Sequence, residues 1–172
     1  MENLTPLNSD PSDKTAILEQ IRNSEFLSDL GEENLVYLAD WFKAYRVTSG
    51  ETIFKEGSMK PILCVIVSGE VSIFKEVSPF ESVKIVDVRA GGVIGELGII
   101  DGEAISASAI ASRDTIVLIM QREEFEELVG KNGDLGARIL WKIAAIISLR
   151  LRQTTGLLAD LSMSKESRML KY

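Results

Sequence analysis

Between Arg46 and Met120 the chain is cut into short apolar strings by glycine-bearing breaks, and this punctuation most limits what it can fold into. The strings read ETIFKEG, LCVIVSGEVSIFKEV, VKIVDVRAGG, ISASAIAS and TIVLIM, punctuated by Gly50, Gly57, Gly69, Gly91, Gly92, Gly95, Gly98 and Gly102. Leu63, Val65 and Val67 alternate with Cys64, Ile66 and Ser68, as the two faces of a pleated strand do. Ser68-Gly69-Glu70 makes a tight turn, after which Val71 and Ile73 resume the alternation. Strands this short and this regularly spaced predict a mainly β fold, a small antiparallel barrel or sandwich.

Helical patterns flank that region. From Lys14 to Tyr45, Ile17, Ile21 and Leu27 fall near one face, and Leu35, Leu38, Ala39 and Phe42 follow at three- and four-residue spacings. Ser28 or Asp29 is a candidate start for a second helix, and Thr48-Ser49-Gly50 closes the region. Residues 1 to 13, rich in Asn, Asp, Ser and Pro, are expected to form a loose leader. After Met120, EEFEELVGKN reads as a short helix, with Gly133 and Gly136 separating it from a long one over roughly Leu135 to Leu161, about 40 Å. The expected partition is a leader and short helix at 1–23, a domain at 24–161 and a polar tail at 162–172.

The long helix carries two apolar stripes. Leu140, Ala144, Ile147, Leu151, Leu158 and Leu161, with Thr154 in the remaining slot, keep a heptad seam, and Ile139, Ile143 and Ile146 form a second face. One face is expected to cover the β domain and the seam to pair with a second copy of the chain, giving a homodimer; one wide face packed within a single chain is the alternative. From Leu135 to Tyr172 there are seven basic residues and two acidic ones, a balance of +5, which leaves −12 for the rest of a chain whose net charge is −7. This segregation reads either as a solvated helix face or as a surface for an acidic partner.

Composition removes whole classes of function. The chain has no histidine, which excludes Ser-His-Asp and Cys-His catalysis and HExxH metal sites. Cys64 is the one cysteine, so no intrachain disulfide or cysteine-cluster zinc site forms, and its apolar surroundings mark it as a core residue. A net charge of −7 does not steer the protein onto nucleic acid. No segment reaches the roughly 18 apolar residues of a membrane span, and the polar, acidic start MENLTPLNSDPSDK is not a secretory signal, so a cytoplasmic protein is expected.

The stretch AGGVIGELGIIDGEAISASAIAS, residues 90–112, resembles the phosphate-binding cassette of the cyclic nucleotide-binding domain family, which includes catabolite activator proteins and regulatory subunits of protein kinase A. Gly95-Glu96-Leu97 opens it, Gly98-Ile99-Ile100 makes an apolar turn, Asp101-Gly102-Glu103 link, and Ala104-Ile105-Ser106-Ala107-Ser108 close it. Gly50, Ile53, Phe54 and Gly57, the hairpin IVSGEVSIF, FEEL at 125–128 and SLRLRQT at 148–154 resemble the family's other elements, in order, over roughly residues 24–155. The resemblance implies a β-roll (jelly roll) with N-terminal helices and a long C-terminal helix. It also implies a non-enzymatic, regulatory domain with a nucleotide pocket at Gly95, Glu96, Leu97, Gly98, Ile105, Ser106, Ala107 and Ser108. Glycines permit close backbone approach to a cyclic phosphate, a helix starting near Glu96 aims amides at it, and Glu96 can accept from a ribose hydroxyl. Taken without the resemblance, Gly95 and Gly98 are turn residues, Glu96 is a helix-terminal charge, Ser106 and Ser108 are strand residues, and Asp101 and Glu103 are loop solvation.

The sequence departs from the family pattern at one point of consequence. The cassette arginine falls on Ile105, and Ala104 stands where proline is common. A charged hydrogen bond contributes about 1.5–3 kcal/mol, and an unpaired buried charge costs about 3–5 kcal/mol. At about 1.4 kcal/mol per decade, affinity for cyclic AMP or cyclic GMP should fall by roughly two to three orders of magnitude. Arg113 lies past the next strand, and Arg150 and Arg152 on the long helix are possible substitutes. The expectation is a regulatory domain that binds cyclic nucleotide weakly or not at all and signals through its long helix or a partner protein. Alternatives are a dimerisation or docking scaffold that has lost its ligand, and a cupin-like enzyme, disfavoured by the missing histidines. With about 11 residues after Leu161, no helix-turn-helix domain is expected.

Overall fold

Residues 62–66, Ile-Leu-Cys-Val-Ile, are all buried, which a strand achieves only when both of its faces are covered. In the computed structural model, which describes residues 4–8, 10 and 13–169 and side chains through residue 160, they belong to an interior strand of a five-stranded antiparallel sheet. That sheet has the order β1 (Thr5–Pro6), β2 (Lys43–Val47), β9 (Thr115–Gln121), β4 (Ile62–Ser68), β7 (Val93–Ile94). A second sheet has the order β3 (Thr52–Phe54), β8 (Ser108–Ala111), β5 (Glu70–Ser78), β6 (Glu81–Arg89). Both are antiparallel throughout, as expected for a β-roll.

The period-2 pattern sorts the first sheet's side chains. Cys64, Ile66, Val117 and Ile119 join Val71, Ala109 and Ala111 of the second sheet in one apolar cluster. Leu63, Val65, Leu118 and Met120, from the alternate positions, are also fully buried, and α1 (Lys14–Asn23) packs on β2, β4 and β9. Each such aliphatic side chain contributes about 1.5–3 kcal/mol. Cys64 is in this core as expected, and burial pushes its thiol pKa upward, so it stays protonated.

Helix starts follow side-chain caps. Asp13 Oδ1 accepts from Thr15 N at 3.0 Å and Ala16 N at 3.3 Å at the head of α1. A capping box between Gln121 and Glu124 starts α4 (Arg122–Lys131), and Lys43 anchors Glu124 from β2 at 3.0 Å. α2 (Glu32–Leu38) follows Gly31, whose φ of 92° separates it from a 3-10 turn at Ser28–Leu30.

Several expectations are corrected. The leader contributes β1, where Thr5 pairs with Arg46 and Pro6 with Tyr45. The second helix starts at Glu32, not Ser28 or Asp29. The helical region ends at Leu38, and 43–47 is strand, because register with β9 turns Ala44 and Val47 into the core. Gly133 and Gly136 are not the break before the long helix. α5 spans Gly133–Met169, and its start is fixed by Asn132, whose Oδ1 accepts from Leu135 N at 3.1 Å. Residues 162–169, expected in a polar tail, continue that helix, and they contain neither Gly nor Pro to stop it.

The chain divides into two compact units, residues 1–136 and 137–172. Along α5, Ile139 and Ile143 are buried while Leu151 and Leu158 are 65% and 59% exposed. Leu161 lies outside the described side chains.

Candidate functional site

The cassette joins the two sheets. β7 pairs with β4 through Cys64–Ile94 and Val65–Val93 and delivers the chain to Gly95. Gly95 takes φ 77°, and a Cβ there would collide with the Ile62 carbonyl oxygen and meet the Phe54 ring at 3.7 Å. The six-residue helix α3 (Glu96–Asp101) follows, as the resemblance implied, and closes at Gly102 with φ 75°. The chain then runs to β8, which lies between β3 and β5.

Within α3, Glu96 is only 5% exposed, whereas Leu97 is open to solvent. Gly98 sits against Pro61, whose Cβ would lie 2.7 Å from an added Cβ. The Gly98 carbonyl accepts from Arg122 Nη1 at 2.8 Å, so the first residue of α4 ties down the far end of α3. Asp101 Oδ1 accepts from Glu103 N at 2.9 Å, a turn-forming role matching its reading as a loop residue.

The closing residues divide between two environments. Ile105 is 6% exposed and belongs to the central apolar cluster. Its backbone is clamped, with its N–H donating to Ser58 O at 2.9 Å and its carbonyl accepting from Gly57 N at 2.8 Å. It also forms part of the wall of a cavity of about 550 Å³, with Phe54, Ile62, Lys55 and Lys60. None of the other seven expected site residues lines that cavity.

Ser106, Ala107 and Ser108 follow the second sheet. The Ser106 carbonyl accepts from Lys75 Nζ at 2.8 Å, and Ser108 Oγ accepts from Glu56 N at 2.9 Å. Lys75 and Glu56 form an ion pair, and Glu76 N donates to Glu56 Oε2 at 2.9 Å. The Glu76 amide and the Lys75 ammonium together hold the Glu56 carboxyl below the usual carboxylate range.

Sequence reasoning did not single out Lys75, Glu56 or Arg122. Lys75 and Glu56 are 19 residues apart and meet only because β5 and β3 both pair with β8. No local pattern carries that information. Arg122 had a weak signal as the residue opening an acidic helix, but its acceptor lies 24 positions away. Arg113 is exposed. No cluster of three or more metal-ligating side chains exists among the described residues.

Comparison with known proteins adds four findings. The sequence pattern of the family described as the cyclic nucleotide-binding domain matches residues 45–132. The fold superposes with a TM-score of 0.72 on the crystal structure of a cyclic nucleotide-binding domain from Methylobacillus flagellatus, at 27% identity over 88% of this chain and 85% of that one. The cyclic AMP receptor protein of Thermus thermophilus is 26% identical over 133 residues, 77% of this chain and 60% of its own. A cAMP-dependent protein kinase regulatory subunit of Aspergillus fumigatus is 30% identical over 125 residues, 72% of this chain and 28% of its own. The chain thus spans less than two thirds of the length of these curated relatives.

Proposed function

The chain belongs to the cyclic nucleotide-binding domain family, and from that membership we propose that it is a regulatory domain whose pocket holds a cyclic phosphate weakly or not at all. The observation that carries this reading is Ile105. It stands at the position where the family pattern has arginine, and it is buried in an apolar cluster. An aliphatic wall disfavours an anion that has left water, and an isoleucine offers no charge-assisted bond to replace the lost solvation. Lys75, a cation beside the closing segment, is already paired with Glu56.

The proposed reading has no catalytic step and places the protein in the cytoplasm; no helix among the described residues is long and apolar enough to cross a membrane. Output passes through α5, either to a second copy along Leu140, Ala144, Ile147, Leu151, Leu158 and Leu161 or to another protein. The exposure of Leu151 and Leu158 in the single chain supports a partner on that face. A scaffold that has lost its ligand entirely is the second reading, favoured by the same burial of Ile105.

Calorimetric titration with cyclic AMP and cyclic GMP tests the proposal. The expected result is no saturation at micromolar ligand in the wild type. A gain of at least tenfold is expected in Ile105→Arg. Micromolar binding by the wild type would overturn the weak-binding reading.

A further inference from the structure

We infer that Glu56 is a built-in competitor for phosphate, a carboxylate of the protein itself that occupies Lys75, a cation beside the closing segment of the cassette. The inference rests on the reading of the cassette as the ligand site and names what regulates anion entry there.

Three contacts carry it. Lys75 Nζ lies 2.8 Å from the carbonyl of Ser106, the residue next to Ile105, so its charge stands beside the closing segment of the cassette. The Glu56 carboxylate takes a main-chain N–H from Glu76 at 2.9 Å and the ammonium of Lys75. An amide and an ammonium are the donor types that a phosphate oxygen recruits. Glu56 is itself fixed to the cassette by its own N–H on Ser108 Oγ at 2.9 Å and by its neighbour Gly57 on the Ile105 carbonyl at 2.8 Å. Its side chain is 20% exposed, while that of Lys75 is 47% exposed, so the carboxylate is the held partner and the ammonium the one with room to turn.

An incoming phosphate ester therefore has to break an existing ion pair and then sit beside the carboxylate it displaced. Like charges at such range repel, and the pair's geometry is already set by the fold. An uncharged nucleoside meets neither obstacle. The site thus selects against the anion twice: Ile105 withholds a cation, and Glu56 occupies Lys75.

The test compares cyclic AMP with adenosine by calorimetry on the wild type, Glu56→Gln, Glu56→Ala and Glu56→Gln/Lys75→Met, with thermal melts to verify folding. Removing the carboxylate charge should tighten cyclic AMP binding at least tenfold and leave adenosine within about twofold. The gain should disappear in the double variant. Glu56→Ala removes the same charge without keeping an amide and stands in if Glu56→Gln does not fold. Unchanged cyclic AMP binding in a folded charge-free variant, or an equal gain for adenosine, overturns the inference. If Ile105→Arg gains affinity while the Glu56 variants do not, the site reading stands and the competitor is refuted. No gain in any of them refutes both.

Discussion

Ile105 belongs to the core, and in the proposed reading it also stands at the site. Its burial contributes to the cluster that joins the two sheets, so arginine there brings a charge into apolar surroundings. Ile105→Arg should therefore lower the melting temperature without ligand by several degrees, since a cost of about 1–3 kcal/mol shifts a domain of this size by about 2–4 °C per kcal/mol. Cyclic AMP at about 100 times its Kd should restore about 2.7 kcal/mol. A melting temperature indifferent to cyclic AMP would show that the introduced guanidinium does not reach phosphate. The residue scale also fixes the pH response. Glu56, Glu70 and Asp87 all titrate below their ordinary values, led by the Glu76 amide, Arg89 and Lys84 respectively. A folded pKa depressed below the unfolded one gives stability that is present above the unfolded value, near pH 4, and lost as pH falls through the folded value. With no histidine in the chain, the unfolding midpoint should stay level from about pH 5.5 to 8 and decline below about pH 4.5. A step near pH 6.5 in a denaturation series would contradict this. The Gly95 turn and the helix after it were legible because they sit in a motif with fixed spacing. Lys75 and Glu56 were not, because strand pairing alone brings them together.

At the scale of elements, the cassette is held at both ends by groups outside it. Gly95 enters α3 against the Ile62 carbonyl, and Arg122 seizes the Gly98 carbonyl while pairing with Glu126 at 2.7 Å. A six-residue helix is too short to persist on its own, so these anchors keep it folded. Arg122→Ala should cost about 1–2 kcal/mol and speed hydrogen exchange at 98–102 more than in β4 or β9. Equal protection in variant and wild type would show that the guanidinium is not the anchor. The strands were readable from alternation and glycine breaks, and α3 from the cassette spacing. The failures share one cause. Thr5–Pro6, Lys43–Val47 and the start of α5 were each decided by a partner distant in sequence or by a single side-chain cap. The partners are β2 for β1 and β9 for β2, and the cap is Asn132 for α5.

For the whole molecule, the open question is what α5 does with its apolar surface. The helix has 37 residues, about 55 Å, and Leu149, Leu151, Leu157 and Leu158 are each more than half exposed. A seam with a strict 4-3 repeat, in which Leu151 and Leu158 are exposed, is expected to pair with its own copy. Leu151→Glu should convert a dimer to a monomer in light scattering, because each pair at that level would bury two carboxylates. The charge distribution sharpens the test. Two copies each carry a net charge of −7, so like charges approach when they meet. At 0.05 M salt such repulsion reaches beyond about 10 Å, whereas at 0.5 M it is confined to a few ångströms. Dimerisation should therefore tighten as salt rises, while the apolar contribution changes little. Weakening with salt would mean that opposite charges hold the copies together. A wild type that stays monomeric at tens of micromolar in high salt would remove the seam as an interface and leave another protein as the partner for α5.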